Sequence, residues 1–268
     1  MVAQPAALMT ADHDVGDGTI HVAVAGGETT IVLLHGWTLD HRSWTPQLPL
    51  AAKARLVMVD RRGFGRSTAP AHLASEWQDI DRIAGTDRFV LVGMSQGASV
   101  ALDYARHRPD RLSALMLAGA PLHGVVPVDN DEGVMPRDRY AALMAAGQLS
   151  VVRADWAQNA LVRTKASGWP LMNAMLGDYD GRDLCGVPSS ISITADDIAA
   201  LPMPVLAVAG VRDTRWRRRV SAFIGQTAPH GRTVSIDDAG HLCNIDNPAQ
   251  FNALLADLIG NPAVTPLQ

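Results

Sequence analysis

Short, mostly apolar runs recur along the chain and are separated by glycines and polar residues. They cover residues 30–34, 56–59, 89–92, 112–117, 204–209 and 233–236. Because a strand that is buried on both faces is apolar throughout, rather than at alternate positions, these runs predict a mostly parallel sheet covered by helices. Residues 19–24 alternate instead and predict a first, edge-like strand. Helical periodicity in residues 97–107, 216–227 and 248–259 predicts the covering layers.

Residues 121–200 break this rhythm of strands and helices. They contain no strong buried strand, yet they are rich in methionine and tryptophan. We predict a helical cap, residues 122–200, inserted over the carboxyl edge of a core formed by residues 1–121 and 201–268. Most of the large apolar side chains of the cap are expected to serve packing, and a few to line a cavity beneath it.

The predicted fold is organised around residues 89–107. The apolar run ends in Gly93-Met94-Ser95-Gln96-Gly97, and a helical pattern follows at once. Glycines two residues to either side of Ser95 remove the Cβ atoms that would collide in a sharp turn from strand to helix. The pattern therefore predicts a nucleophilic serine at the apex of that turn.

A serine hydroxyl needs a base within hydrogen-bonding reach, and a third group must orient that base. Among the four histidines after Ser95, His107 lies about three turns along the same helix, His123 comes too early in the chain, and His230 precedes the last predicted strand. His241, directly after that strand, is the predicted base.

The predicted acid is Asp213, just beyond the apolar run 204–209 and well before His241. In strand–turn–helix folds with such a serine, the chain order is serine, acid, histidine. Four other carboxylates are rivals. Asp196 and Asp197 are interpreted as acids in the first turn of a helix, and Asp237 and Asp238 as acids in the loop just before His241.

The negative charge that forms on a substrate carbonyl oxygen requires fixed N–H donors. The backbone N–H of Gln96, at the start of a helix, is one candidate. The backbone N–H of Trp37, in the loop His35-Gly36-Trp37 after an early strand, is the second. We interpret His35 as a core histidine that braces this loop.

Composition narrows the range of partners. The chain has 268 residues, 47% of them hydrophobic and 19% charged, with a formal net charge of −4. This balance disfavours binding to nucleic acids or anionic membranes. The basic run Arg212, Arg215, Arg217, Arg218 and Arg219 is interpreted as the solvated face of a helix.

Targeting and redox signals are weak. The two cysteines, Cys185 and Cys243, have no metal-binding spacing, and neither a signal-peptide pattern nor a long apolar segment is found. We expect a cytoplasmic protein with reduced thiols, no metal and no organic cofactor.

Taken together, these motifs resemble the α/β-hydrolase superfamily. The resemblance rests on His35-Gly36-Trp37, on the block from Asp60 to Ser67, on the Ser95 turn and on Gly240-His241. It implies the α/β-hydrolase fold, with the Asp60–Ser67 block as a structural turn beside the site. The stretch from His241 to Ile245, followed by Asn247-Pro248, resembles 3-oxoadipate enol-lactone hydrolases and related small esterases and lactonases.

The resulting hypothesis is a serine hydrolase that cleaves a carboxylic ester or lactone through an acyl-enzyme on Ser95, as a monomer or homodimer. The alternatives are an enol-lactone or carbon–carbon bond hydrolase of aromatic catabolism, and a ligand receptor on the same scaffold without turnover. A carboxylated substrate would require a basic residue in the cap; the candidates are Arg137, Arg139, Arg153, Arg163 and Lys165.

Overall fold

The architecture is an eight-stranded sheet, seen in a computed structural model that describes residues 8–128 and 135–260. The spatial order of the strands is β1-β2-β4-β3-β5-β6-β7-β8. Their bounds are β1 Met9–Asp14, β2 Thr19–Ala25, β3 Thr30–Leu34, β4 Arg55–Val59, β5 Phe89–Met94, β6 Leu112–Ala118, β7 Val205–Gly210 and β8 Gly231–Ile236. All pairs from β4 to β8 are parallel, so the predicted mostly parallel sheet is confirmed.

The amino-terminal edge of the sheet differs from the prediction. The run 19–24 was predicted to form an edge strand, but β2 lies inside the sheet, antiparallel to both β1 and β4. The edge strand is β1, whose side chains are almost all exposed. Because its sequence, MTADHD, buries no apolar face, it carries no hydrophobic pattern that could have predicted it.

Helices cover both faces of the sheet, as the doubly apolar strands require. Side chains of β3 alternate between two buried clusters, with Ile31 and Leu33 in one and Val32 and Leu34 in the other. The second cluster packs against α1 Glu76–Ile83, α2 Gln96–His107 and α7 Arg215–Thr227. The first packs against a 3₁₀ segment, His41–Ala52, and α9 Pro248–Gly260, which follows a short helix α8, Cys243–Asp246.

The segment between β6 and β7 contains four α-helices in its described part, residues 119–128 and 135–204. These are α3 Arg137–Ala145, α4 Leu149–Trp156, α5 Trp169–Asp178 and α6 Ala195–Ala199. Helix α5 contributes Met172 and Met175 to the first buried cluster, so these methionines serve packing.

The division into a cap, residues 122–200, and a core stays a prediction, and residues 129–134 of that range lie outside the described residues. Helix α6 contributes Ile198 to the buried cluster that also holds α2 and α7. The last part of the inserted segment therefore packs with the core.

Candidate active site

Ser95 stands between β5 and α2 in a strained backbone conformation, with φ of +53° and ψ of −120°. Its N–H donates to the carbonyl of Ala118 at 2.8 Å, which fixes the turn to β6. A Cβ on Gly93 would lie 2.6 Å from the Cα of Ala98, and a Cβ on Gly97 would overlap the carbonyl oxygen of Leu34. Both glycines are thus required for the close passage of α2 over β3 and β5, as the motif predicts.

His241 and Asp213 meet at the carboxyl ends of β7 and β8. The Nδ1 atom of His241 lies 3.1 Å and 3.0 Å from the two carboxylate oxygens of Asp213. Both side chains are buried, and the Asp213 N–H donates to the carbonyl of Gly210 at 3.0 Å, which closes the turn after β7. This arrangement places the Nδ1 proton on the carboxylate side and leaves Nε2 as the basic atom.

One cavity of about 210 Å³ brings the predicted residues together. Ser95, Gln96, Trp37 and His241 all line it, and Asp213 lies behind the imidazole. The buried Nε2 atom of His241 makes no hydrogen bond within the described residues, the Ser95 hydroxyl included. The structure thus gathers the five predicted residues at one place without a Ser95–His241 hydrogen bond, a bond that is often long in the absence of substrate.

The loop after β3 is held by His35, as the sequence predicts. The backbone N–H of Arg61 donates to His35 Nε2 at 3.0 Å, so the ring proton is on Nδ1, which donates to the carbonyl of Gly36 at 2.7 Å. Complete burial, together with the nearby Arg61 cation, lowers the pKa of His35 to about 4. A Cβ on Gly36 would lie 3.2 Å from the Cβ of Ser95, so this loop passes directly against the serine.

Asp60 organises the loop beside the site. One of its oxygens accepts hydrogen bonds from the backbone N–H and Nδ1 of His41, at 2.7 and 2.8 Å, and the other accepts from the Arg66 N–H at 2.8 Å. Burial opposes the ionisation of Asp60, but the bonds from His41 and Arg66 outweigh it and lower its pKa to about 2. These contacts fit the structural turn implied by the resemblance.

Among the described residues, one group of three has the composition of a metal site. His21, His41 and Asp60 each offer a ligand atom, and these atoms lie within 4.8 Å of one another. His41 and Asp60 line a different cavity from the one that holds Ser95. The chemistry at Ser95 does not require this group.

Neither cysteine is among the described residues that line the cavity of Ser95. Cys185 is exposed and Cys243 is buried, both with free thiols. Burial, reinforced by the nearby Asp213 carboxylate, raises the pKa of Cys243 well above its usual range, so its thiolate is not formed at neutral pH.

Arg217 is a cavity residue that sequence reasoning missed. The basic run was interpreted as a solvated face, which is wrong for Arg217: it is 5% exposed, lines the cavity and donates from Nη1 to the carbonyl of Gly119 at 3.1 Å. Burial lowers its pKa to about 10, against the attraction of Asp213, so it stays cationic at neutral pH. The helical spacing of Trp216, Val220 and Ile224 places residue 217 beside the buried stripe, and this signal was available.

The basic residues of the inserted segment do not serve the cavity as expected for a carboxylated substrate. Arg139 pairs with Asp155 at 2.9 Å, and Arg153 donates to the carbonyl of Tyr179 at 2.7 Å. None of the five candidates is among the described residues that line the cavity. The segment instead contributes mainly apolar side chains there, among them Met135, Trp156, Leu161 and Val162.

The chain was compared with known protein families. Residues 31–254 match the family described as "Alpha/beta hydrolase family". The chain belongs to this family. The predicted fold and the predicted class of enzyme, a hydrolase, are thereby confirmed. No helix within residues 8–128 and 135–260 of this α/β hydrolase has the length and apolar character needed to cross a bilayer.

Several relatives of this α/β hydrolase span nearly all of it. A pimeloyl-[acyl-carrier protein] methyl ester esterase of Edwardsiella ictaluri is 28% identical over 258 residues, which cover 89% of this chain and 96% of the relative. A thermophilic esterase from Thermogutta terrifontis has a TM-score of 0.76 at 22% identity, covering 97% of this chain and 100% of the other. An enol-lactonase from Burkholderia xenovorans LB400 has a TM-score of 0.78 at 18% identity, covering 93% and 100%. The two solved structures support the fold.

Proposed function

We propose that this α/β hydrolase cleaves small carboxylic esters or lactones through an acyl-enzyme on Ser95. The observation that carries the proposal is the convergence of a strained serine and a buried Asp213–His241 pair on one cavity. Relatives named as methyl ester esterase, esterase and enol-lactonase agree with this reaction class.

In the proposed mechanism, the Ser95 hydroxyl attacks the acyl carbon while His241 Nε2 accepts its proton. Asp213 keeps the imidazole in the required tautomer and stabilises the imidazolium that forms. The backbone N–H groups of Trp37 and Gln96 bind the negative oxygen of the tetrahedral intermediate. His241 then returns the proton to the leaving alcohol, and a water molecule activated by the same imidazole releases the acyl group.

The cavity limits the size of the substrate. Its volume of about 210 Å³ is below the range of roughly 300–1,000 Å³ that is typical of sites for drug-sized ligands. Much of its wall is apolar, including Leu39, Trp156 and Leu242. We therefore expect short acyl chains to be preferred, with turnover of p-nitrophenyl esters falling from the butyrate to the dodecanoate.

The direct test compares Ser95→Ala with Ser99→Ala, a change of the same kind in a serine that lines the same cavity one helical turn further along α2. Ser95→Ala should abolish labelling by a fluorophosphonate probe and lower kcat by about 10⁵-fold or more. Ser99→Ala should keep both. Labelling that persists in Ser95→Ala would refute the proposal.

A ligand receptor on the same scaffold gives a different kinetic signature. Such a protein would release p-nitrophenol in a single burst equal to the amount of protein and then stop. Continued steady-state release from the wild-type protein is the result that the acyl-enzyme mechanism predicts, and a burst precedes it where deacylation is the slower step.

A further inference from the structure

A buried carboxylate of the inserted segment forms a hydrogen bond with the loop that follows β3. Asp183 is 8% exposed. Its Oδ2 accepts a hydrogen bond from the Trp37 indole Nε1–H at 2.6 Å, and its Oδ1 accepts one from the Tyr179 hydroxyl at 2.7 Å. The contact joins residues that are 146 positions apart, one in the core loop and one in the inserted segment.

Aromatic rings of the inserted segment enclose the Trp37 side chain on several sides. Tyr140 stacks on it at 5.8 Å between ring centroids, while Trp156 and Tyr179 meet it edge-on at 4.6 and 5.6 Å. The indole therefore has little freedom to rotate once the carboxylate has fixed its Nε1–H. Holding the ring also restricts where the Trp37 backbone can lie.

The next residue, Thr38, has a strained backbone conformation, and contacts with the inserted segment stabilise it. Thr38 has a φ of +63°, which is unfavourable for a β-branched residue. Its hydroxyl donates to the carbonyl of Trp37 at 2.6 Å and accepts from the Trp156 indole at 2.9 Å. The peptide group after Trp37 is thus tied to the inserted segment through the Thr38 hydroxyl, and the Trp37 ring is tied to it through Asp183.

A carboxylate is a costly means of filling this space. Burial raises the pKa of Asp183, and the hydrogen bonds from Tyr179 and Trp37 act against that rise. An apolar or amide side chain would avoid the desolvation of a charge. An ionisable oxygen that faces an indole N–H here has a directional role rather than a packing role.

We propose that Asp183 is a positioning residue, which orients the Trp37 backbone N–H toward the oxyanion by holding the Trp37 indole. The inference rests on the proposed function, in which that N–H is one of two oxyanion donors. It makes the inserted segment part of transition-state stabilisation, beyond covering the cavity.

The test is Asp183→Ala, which removes the acceptor of the Trp37 indole N–H; an asparagine could keep that bond, because the Tyr179 hydroxyl can accept from the amide. Complete loss of an oxyanion donor lowers kcat by about 10²–10³-fold, so we expect a misdirected donor to lower it by about 10–100-fold. KM should change by less than about threefold, because the ground-state carbonyl makes little use of the oxyanion site. The rate of fluorophosphonate labelling should fall by the same factor as kcat.

The matched control is Asp103→Ala, the same change in a carboxylate that is also buried, 2% exposed, and bonded to Arg106 about two turns along α2 from Ser95. It should lower the thermal midpoint and leave kcat unchanged. A role of Asp183 in stability alone would make the two variants behave alike, and that result would overturn the inference.

Trp37→Phe provides a second route if Asp183→Ala does not fold. It removes the indole N–H but keeps a ring and the backbone N–H, and it should lower kcat by a similar factor. Where both single variants fold, the double variant should lose no more than the larger single loss, whereas additive losses would contradict a shared path. An active wild-type protein with unaffected variants refutes only this inference; a wild-type protein without turnover or Ser95 labelling refutes the proposed function and this inference together.

Discussion

A methyl group on Gly119 should disable the site without a change in any of the five proposed functional residues. Gly119 directly follows β6 and has a φ of +55°. A Cβ there would lie 2.7 Å from His241 Cε1 and 2.8 Å from its Nδ1. The backbone cannot easily retreat, because the Gly119 N–H donates to the Val208 carbonyl at 2.9 Å and its carbonyl accepts from Arg217 at 3.1 Å.

The size of the effect follows from these distances. Ordinary contacts of a Cβ begin near 3.4 Å, so the imidazole must shift by roughly 0.7 Å to admit the methyl group of Gly119→Ala. A misplacement of about 1 Å costs about 10²-fold in rate. We therefore expect kcat to fall by about 30–100-fold, which corresponds to about 2–3 kcal/mol of activation free energy.

Gly147→Ala is the matched control, because Gly147 has a φ of +70° and no atom within 4 Å of its hypothetical Cβ. Both variants should lose about 1–2 kcal/mol of unfolding free energy from the left-handed backbone, measured by urea denaturation. Only Gly119→Ala should lose turnover of p-nitrophenyl butyrate. A Gly119→Ala enzyme with a kcat within about threefold of the control would refute the assigned position of His241.

Three further predictions test the fold. The pKa of the His35 imidazole is about 4 in the folded protein and near 6.5 in the unfolded chain, so the unfolded chain binds the second ring proton first. The unfolding free energy should therefore fall by about 3 kcal/mol from pH 6.5 to 4. His35→Gln should flatten this pH dependence in urea denaturation, and an equal slope would contradict the buried, neutral state assigned to His35. Gly97→Ala should lose about 3 kcal/mol or more, because its methyl would overlap backbone oxygens of the loop after β3, whereas Gly177→Ala, in open space in α5, should gain up to about 1 kcal/mol. Thr194→Ala removes the side-chain cap of α6 and should lower the unfolding free energy by about 1 kcal/mol; unchanged denaturation would mean that the cap contributes nothing.

Local hydrophobic patterns were sufficient to predict the strands that are buried on both faces of the sheet. Strands β3 to β7 are apolar almost throughout, so their positions could be predicted from single runs of sequence. The turn at Ser95 could be predicted equally well, because two glycines flank the serine and the hydrophobic pattern changes there from that of a strand to that of a helix. Chain order then reduced the candidate acids and bases to Asp213 and His241. Their contact, 3.0 Å between His241 Nδ1 and Asp213 Oδ2, joins distant parts of the chain and could not be predicted from chain order alone.

Other features depend on tertiary contacts that leave no periodic signal. Strand β1 is exposed and is ordered by its pairing with β2. Asp183 lies in a 3₁₀ turn, Arg182–Leu184, and its burial and its contacts with Trp37 and Tyr179 distinguish it from a surface acid. Arg217 was missed for a different reason. It lies in a run of arginines that was interpreted as exposed as a whole, although its position in the helix is next to the buried residues.

The central claim, that Ser95 carries the acyl group, is tested most directly by trapping the intermediate. The wild-type enzyme is mixed with excess p-nitrophenyl butyrate, quenched in acid within milliseconds, digested and examined by tandem mass spectrometry. The account predicts one butyryl group on the peptide that contains Ser95, and its absence in Ser95→Ala. A butyryl group on another side chain, or turnover by Ser95→Ala at the wild-type rate, would contradict it.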